Sequence, residues 1–316
     1  MRKALLVGVN DYPDCSLSGC ENDAVRLSSI LQRHYNGDPN FECRTILSSK
    51  DPVTRSRLRG LIDELFSKPA DTALFYFSGH GSDQKSTGIL VTRDYEANDL
   101  GIPMSELLEA SSRAVGRINE IFIVLDCCHS GYAGKTWLAS THDVLPKGVS
   151  ILTASSESEA AIERGGEGVF TSLVCDALEG GAADVLGKVT AAGIYSFLDT
   201  ALGAWDQRPH FKANLTKLEV LRCCEPAVAL DTFRKLTTIF PTADYVLPLS
   251  PAYEPTEAPR DEAKELVFST LQKFRAARLV IPVGEEHLYF AAINKKGCEL
   301  TPLGRFYWSL VNEGRI

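Results

Sequence analysis

Two short clusters of cysteine, histidine and glycine have the residue types that nucleophilic chemistry needs. They are residues 78–81 (Ser-Gly-His-Gly) and residues 126–131 (Asp-Cys-Cys-His-Ser-Gly). Hydrolysis of a peptide bond by cysteine requires a thiolate, an imidazole that transfers protons, and N–H donors for the oxyanion of the intermediate. Cys128 and His80 supply the first two, and the backbone N–H groups of Gly81 and Cys128 are the candidate donors. The alternative is structural, because a cysteine at a strand end is often a small buried residue and a loop histidine is often solvated.

Buried strands must position both clusters, because each cluster follows an uninterrupted apolar run. Such runs, without alternation, are typical of strands that are buried on both faces. Strands are predicted at 3–10, 42–47, 72–78, 121–126 and 149–154, and helices at 23–33, 54–66, 104–114 and 170–178. This alternation predicts an α/β fold around a mainly parallel sheet, in which sites form beyond the carboxyl ends of the strands.

Composition narrows the class of protein. The 316 residues are 44% hydrophobic and 23% charged, which favours a soluble globular protein with one α/β domain and a smaller module. The formal charge of −8 argues against a wide nucleic-acid surface. Nine cysteines, an odd number, and the lack of an export signal or a membrane-spanning apolar run indicate a reduced, cytoplasmic protein.

The two clusters resemble the signature boxes of metacaspases and of prokaryotic caspase-like peptidases. Residues 4–10 and 17–24 are similar to the first strand and helix of that family, and 151–155 and 168–171 to a later strand and helix start. The resemblance covers residues 1–215. It implies the caspase-hemoglobinase fold, a mainly parallel central sheet flanked by helices, and the activity of a cysteine endopeptidase.

The resemblance also selects residues within the second box. In the family the nucleophile is the cysteine directly before His-Ser-Gly, which corresponds to Cys128. Cys127 is then interpreted as a buried packing residue, and His129 as an orienting or packing residue. The rival hypothesis is a caspase-like adaptor or a DNA- or protein-binding regulator without catalysis, but such proteins usually lose the cysteine or the histidine.

An acidic pair predicts the substrate. The chain lacks the Gln-Ala-Cys-Arg-Gly box of caspases that cut after aspartate. Asp23 and Asp126 instead match the acidic pair that receives a Lys or Arg side chain in metacaspases, and carboxylates favour such cations through charge-assisted hydrogen bonds. The expected partners are therefore proteins with exposed Lys or Arg. The alternative for Asp23 is that it caps its own helix.

The stretch 133–148 corresponds to a segment that is cleavable or mobile in the family. Cleavage after Lys135 or Lys147, by this enzyme or by an upstream protease, is the hypothesis for activation of a zymogen. The alternative is an ordinary surface loop. Bacterial relatives suggest a role in a stress or antiviral defence response, triggered by a partner.

No cofactor and no metal site is predicted. Some metacaspases require calcium, but the chain has no calcium-loop spacing, and Glu157, Glu159, Glu163 and Glu167 are interpreted as a solvated rim, so calcium dependence is left open. Paired Cys-x-x-Cys motifs are absent, which argues against structural zinc.

Three parts are predicted along the chain: a peptidase domain (1–222), a connector (223–260) and a winged-helix-like α+β domain (261–316). Within the connector, residues 247–255 and Pro259 are proline-rich and are expected to be extended. The last part should contain a helix at 261–275, a strand at 288–293, and a helix that begins after the N-cap Thr301. Its balanced charge favours protein docking or regulation over DNA binding.

Overall fold

The computed structural model describes residues 1–82, 88–127, 145–154, 163–164, 167–202 and 209–316, with the backbone alone at 163, 164 and 167. Within these ranges the chain forms two compact units. The first contains residues 1–183 and 188–224, and the second contains 184–187 and 225–316. In the part of the chain described, no helix combines the length and apolar character that crossing a membrane requires.

The first unit contains the predicted sheet. Its strands are β1 (Arg2–Gly8), β2 (Glu42–Leu47), β3 (Ala70–Gly79), β4 (Gly81–Ser82), β5 (Ile89–Glu96), β6 (Asp99–Pro103), β7 (Ile118–Cys127), β8 (Val149–Thr153), β9 (Glu163–Arg164), β10 (Glu167–Gly168), β11 (Lys188–Thr190), β12 (His210–Asn214) and β13 (Val220–Cys223). Its α-helices are α1 (Cys20–Leu31), α2 (Arg55–Ser67), α3 (Met104–Ala114), α4 (Val169–Asp176) and α5 (Ala191–Ala201), and a π-helical turn, Ala177–Gly181, extends α4. The predicted bounds of β2 and α3 match the observed ones.

Six strands form the central sheet in the order β12-β8-β7-β3-β1-β2. All neighbours pair in parallel except β12, which runs antiparallel to β8. The prediction of a mainly parallel sheet flanked by helices is confirmed. Alternate residues of each central strand enter different apolar clusters, so that Phe75 packs on the face with α2 and α3, and Tyr76 on the face with α1, α4 and α5.

The strand register brings the carboxyl ends of β1, β3 and β7 to one edge of the sheet. Gly8 of β1 pairs with Ser78 of β3, and Ser78 pairs with Asp126 of β7. One residue further, Gly79 pairs with Cys127. Residues 80 and 128 therefore follow paired positions on neighbouring parallel strands. We call this the carboxyl edge, and the opposite side, where β1, β3 and β7 begin, the amino edge.

The second unit has its own apolar core. Its elements are α6 (Leu230–Phe233), α7 (Leu236–Ile239), β14 (Leu247–Pro248), a 3-10 turn (Pro251–Tyr253), α8 (Glu262–Ala276), β15 (Val280–Val283), α9 (Leu288–Ile293), β16 (Gly297–Leu300) and α10 (Pro302–Asn312). Strands β14, β16 and β15 form an antiparallel sheet in that order.

Two predictions for this part of the chain differ from the structure. The predicted connector contributes Phe233, Leu236, Phe240 and, from its proline-rich stretch, Leu249 to the core of the second unit, so residues 225–260 belong to that unit rather than linking two domains. The predicted strand at 288–293 is the helix α9, because its buried residues recur at helical spacing, as Leu288, Ala291 and Ala292. Its aromatic residues mimic a strand composition.

The last helix was predicted correctly. The side chain of Thr301 accepts a hydrogen bond from Gly304 N at 2.9 Å, and Pro302 is the first helical residue of α10. A proline at this position is compatible with a helix because the first N–H groups have no intrahelical partner.

Candidate active site

His80 is held at the carboxyl edge by contacts to its backbone and to its ring. Its amide N donates to the hydroxyl of Tyr12 at 3.0 Å, and the two rings lie 4.6 Å apart, centroid to centroid. The Tyr12 hydroxyl in turn donates to the carbonyl O of Val91 at 3.1 Å. On the other side of the ring, Nε2 lies 2.7 Å from the carbonyl O of Cys15. The imidazole is therefore fixed in position before any substrate binds.

The contact with Cys15 also defines the roles of the two ring nitrogens. A carbonyl oxygen can only accept a hydrogen bond, so Nε2 of His80 must carry the hydrogen. In neutral imidazole the Nδ1 atom is then the one with a free lone pair. Proton exchange with a nucleophile at this site is consequently a task for Nδ1.

The loop that presents the Cys15 carbonyl is anchored to strand β5. Asp11 forms an ion pair with Arg93 at 3.1 Å. The Tyr95 hydroxyl donates to Asp14 at 2.7 Å, and this hydrogen bond to the carboxylate raises the pKa of Tyr95. Because β5 pairs with β4, which continues from His80, the loop and the histidine are held by the same small sheet.

Gly81 begins β4 and pairs with Leu90 of β5. The amide of Val91 donates to the His80 carbonyl at 3.0 Å, which identifies Gly81 and Leu90 as a non-hydrogen-bonded pair. In such a pair the N–H of Gly81 points away from the ladder with β5. The N–H of Gly81, which the sequence analysis predicts as an oxyanion donor, is therefore not used in the pairing of β4 with β5.

The described part of β7 ends at Cys127. This residue is 6% exposed and lies in the apolar cluster with Leu125, as expected for a packing cysteine. Cys128 and His129 lie outside the described residues. The register nevertheless places the last described residue of β7 opposite the residue before His80.

The predicted acidic pair meets at one point. Asp23, on α1, is 3% exposed, and Asp126, at the end of β7, is 6% exposed. A methyl carbon built on Gly168 would lie 2.9 Å from Oδ2 of each aspartate. The two carboxylates therefore converge on the same backbone position, although they belong to different elements.

Several donors surround this pair. Gly168 N donates to Asp23 Oδ1 at 3.1 Å and Oδ2 at 3.2 Å, and the Thr171 hydroxyl donates to Asp126 Oδ2 at 2.6 Å. Gly168 and Thr171 belong to the first turn of α4 and the residue before it, where the helix dipole favours negative charge. Tyr76 lies behind Thr171, with a hydroxyl-to-hydroxyl distance of 2.7 Å. Its complete burial, together with the charges of Asp126 and Asp23, raises the pKa of Tyr76 well above 10.0.

The remaining predicted residues lie elsewhere or outside the description. Lys135, Glu157 and Glu159 fall outside the described residues, and the side chains of Glu163 and Glu167 are not described. Lys147 is exposed in a turn just before β8, at the amino edge. Within the described ranges, no group of three or more His, Cys, Asp or Glu side chains is arranged to hold a metal ion.

Sequence reasoning missed the residues that support the site. Tyr12 and the carbonyl of Cys15 were not singled out, and the loop between β1 and α1 has no pattern that indicates a contact with His80. Gly168 and Thr171 were noted only for their resemblance to a family helix start. A glycine directly before a helix, with a threonine three residues later, is the signal that could have suggested a polar site there.

Comparison with known proteins identifies the family. The family model described as "Caspase domain" matches residues 1–218. Metacaspase-1 of Plasmodium falciparum is 30% identical over 148 residues, covering 41% of this chain and 24% of that protein. Metacaspase-2 of Trypanosoma brucei brucei is 28% identical over 149 residues, covering 41% of each. The chain thus spans less than half the length of these relatives.

A solved structure supports the fold. A protein of Geobacter sulfurreducens with a known crystal structure aligns with a TM-score of 0.53 and 16% identity, covering 71% of this chain and 99% of that one. At this identity the similarity concerns the fold alone. Since the family model covers more than half of the chain, the chain belongs to the caspase-domain family of cysteine-type peptidases.

Proposed function

We propose that the protein is a cysteine endopeptidase that cleaves protein substrates after Lys or Arg, with Cys128 as nucleophile and His80 as acid and base. The observation that carries this proposal is the register of the carboxyl edge. Gly79 and Cys127 are paired, and each directly precedes one member of the proposed dyad. Neighbouring parallel strands lie about 5 Å apart, which is a suitable spacing for two side chains that exchange a proton.

The proposed reaction uses the geometry of His80 directly. Cys128 loses its thiol proton to Nδ1 of His80, and its sulfur forms a bond to the scissile carbonyl carbon. The backbone N–H groups of Gly81 and Cys128 stabilise the resulting oxyanion. Nδ1 then gives the proton to the leaving amine, the C–N bond breaks, and a thioester remains. Nδ1 next removes a proton from water, which attacks the thioester, and returns the proton to sulfur as the C–S bond breaks.

The preference for Lys and Arg rests on Asp23 and Asp126. Both carboxylates lie at the carboxyl edge, which also carries His80. A substrate whose scissile bond lies at Cys128 would therefore place its adjacent side chain near the pair. Carboxylates in a poorly solvated pocket bind guanidinium and ammonium groups by charge-assisted hydrogen bonds.

The burial of the pair supports a requirement for activation. At 3% and 6% exposure, Asp23 and Asp126 are almost inaccessible to a substrate side chain. Binding of Lys or Arg needs a change that uncovers them. We propose that proteolysis or a partner causes this change in a cytoplasmic stress or defence response.

The direct test is hydrolysis of fluorogenic peptides that end in Arg, Lys or Asp before the reporter. The full chain is assayed before and after limited proteolysis, with and without calcium. We expect cleavage of the Arg and Lys reporters and none of the Asp reporter. The Cys128→Ala variant should be inactive, whereas Cys127→Ala should retain activity because that residue packs in the core.

Two outcomes would contradict the proposal. Equal activity of wild type and Cys128→Ala would show that Cys128 is not the nucleophile. Absence of turnover under every condition, with a folded protein, would favour the caspase-like adaptor.

The site of activation cleavage can be mapped by incubating Cys128→Ala protein with active wild type. We favour Lys135 over Lys147. The residue after Lys147, Gly148, has a φ of +88°, and its N donates to the Asn214 carbonyl at 2.7 Å, so a protease would have to detach this segment from the sheet. Mass spectrometry of the fragments should find a cut after Lys135, and a cut only after Lys147 would reverse this preference.

We propose a docking or regulatory role for the second unit. Its charged residues are balanced in sign, which gives little attraction for phosphate backbones. In a mobility-shift assay with duplex DNA the full chain should leave the DNA unshifted at physiological salt. A salt-sensitive shift would favour DNA binding by a winged-helix-like domain.

A further inference from the structure

We infer that Gly168, Thr171 and Tyr76 are positioning residues that hold the two aspartates in one geometry and thereby set the preference for a cationic side chain. The inference rests on the proposed function, because it concerns the pocket that would receive the substrate side chain. Gly168 and Thr171, which the sequence marks only as a helix start, and Tyr76, which no motif includes, thereby receive a role in recognition.

The direction of the hydrogen bonds can be assigned. An ionised Asp126 can only accept, so the single hydroxyl hydrogen of Thr171 is directed at Oδ2, 2.6 Å away. The contact of 2.7 Å between Tyr76 and Thr171 must then be donated by Tyr76. Because the pKa of Tyr76 is raised well above 10.0 by burial and by the two aspartates, its hydroxyl keeps this proton. The result is a directed chain from Tyr76 through Thr171 to Asp126.

Asp23 is oriented by a different donor of the same helix start. The amide of Gly168 lies 3.1 Å and 3.2 Å from its two carboxylate oxygens, so this carboxylate faces the N–H group. Gly168 directly precedes α4, whose eight residues direct the positive end of their dipole toward both aspartates. One helix start therefore orients two carboxylates that come from α1 and β7.

The lack of a side chain at residue 168 is part of the geometry. A Cβ atom there would lie 2.9 Å from Oδ2 of both aspartates, closer than real Cβ contacts. Any other residue would push one or both carboxylates away. Glycine thus permits the convergence of the pair, and the backbone N–H of the same residue fixes it.

The three donors are neutral groups, so they leave the charge of the acidic pair available to a cationic side chain. An amide and two hydroxyls orient the carboxylates without cancelling their negative charge. A fixed pair of negative charges binds a guanidinium or ammonium group with less loss of conformational entropy than a mobile pair does. A neutral side chain of the same shape gains no such interaction.

The experiment compares two reporters that differ in charge alone, one with Arg and one with citrulline before the scissile bond. The readout is the ratio of their kcat/KM values. Thr171→Val, which removes the hydroxyl, should lower the Arg-to-citrulline ratio about tenfold, mainly through KM for Arg. Thr171→Ser keeps the hydroxyl and should stay within about threefold of wild type. Tyr76→Phe, which removes the outer donor, should give an intermediate loss, and Gly168→Ala the largest.

A purely structural role would give a different pattern. Destabilised protein turns over both reporters less, in equal proportion, and the ratio does not change. An unchanged ratio in Thr171→Val would overturn the inference while leaving the proposed peptidase activity intact.

Failure of the proposed function is distinguished by a binding measurement. If wild type cleaves neither reporter, titration calorimetry with agmatine, an arginine-like cation, is performed on full-length Cys128→Ala protein before and after limited proteolysis, because the buried pair must be uncovered before it can bind a cation. Agmatine binding that Thr171→Val weakens at least about fivefold, and Thr171→Ser does not, supports the inference without peptidase activity. No agmatine binding, or equal binding by both variants, overturns it.

Discussion

The two edges of the central sheet each bury a carboxylate of β7, but they surround it differently. At the carboxyl edge Asp126 is 6% exposed and accepts a 2.6 Å hydrogen bond from Thr171, beside the start of α4. At the amino edge Glu120 is 2% exposed and accepts from Glu219 N at 3.1 Å through Oε2. Its Oε1 is buried without a hydrogen-bond partner among the described residues.

The environment of Glu120 changes its pKa. Burial raises its pKa to about 7, and the nearby charge of Glu219 acts in the same direction. The amide of Glu219 and the charge of Arg2 oppose this shift without cancelling it. At the carboxyl edge Thr171 donates to Asp126, whereas at the amino edge Glu120 has one described donor for its two buried oxygens, and its pKa rises.

The largest effect is expected for His80→Ala. Loss of the acid and base should lower kcat/KM for the Arg reporter by about a thousandfold or more, with little change in the free energy of unfolding. The matched control is His34→Ala near the amino edge, where Nδ1 accepts from Cys223 N at 3.0 Å. That variant should lose stability and keep the activity of its folded fraction. Reporter kinetics and urea unfolding are measured on both variants. A full loss of activity in folded His34→Ala would show that catalysis does not depend on the carboxyl edge alone.

Gly79→Ala should be the next most damaging change. A Cβ atom at residue 79 would lie 2.6 Å from the Tyr12 hydroxyl and 3.0 Å from the ring of Phe77. Tyr12 must then move, and His80 with it, so we expect a loss of about a hundredfold in kcat.

The control for this change is Gly60→Ala, because residue 60 lies in α2 with open space around its Cα. Alanine there should stabilise the protein by up to about 1 kcal/mol and leave kcat unchanged. If Gly79→Ala retained wild-type kcat, Tyr12 would have no part in holding the histidine.

The strands and the position of the acidic pair could be predicted from sequence, and their supports could not. The apolar runs before His80 and Asp126 identify buried parallel strands, and the end of a parallel strand identifies an edge. The contact between Cys15 and His80 depends on how the loop after β1 folds back. The sequence of this loop has no hydrophobic pattern that predicts its path. The second unit was harder still, because residues 288–293 have the aromatic and β-branched content of a strand but bury Leu288, Ala291 and Ala292 at helical spacing.

Tyr12→Phe should have a smaller effect at the carboxyl edge. It leaves the His80 amide and the Val91 carbonyl without their hydroxyl partner. Unsatisfied buried groups cost about 1–3 kcal/mol each, and we expect a similar loss of stability with roughly tenfold lower kcat. Tyr289→Phe is the matched control, because its hydroxyl donates to Glu257 in an exposed contact of the second unit, away from His80. Thermal unfolding and reporter kinetics should separate the two, and equal behaviour would argue that the Tyr12 hydroxyl is dispensable.

The smallest effect on activity concerns the amino edge, where the effect on stability depends on pH. The pKa of Glu120 is raised from 4.5 to about 7 by folding, so the folded state binds this proton more tightly than the unfolded chain does. The stabilisation that this provides is complete below pH 4.5 and is lost as the pH rises through 7. Glu120→Gln imitates the neutral form at every pH. It should therefore match wild type near pH 4.5 and be more stable at pH 8, by about 3 kcal/mol.

Urea unfolding of wild type and Glu120→Gln from pH 4.5 to 8 measures this difference, with the exposed Glu109→Gln as control. Activity should not change in Glu120→Gln, since the substitution lies at the opposite end of β7 from the proposed site. A constant difference across the pH range would mean that Glu120 keeps its charge in the folded protein. The amino edge would then hold an ionised carboxylate, as we propose for the carboxyl edge with Asp126. The two edges would no longer differ in the charge of the carboxylate that they bury.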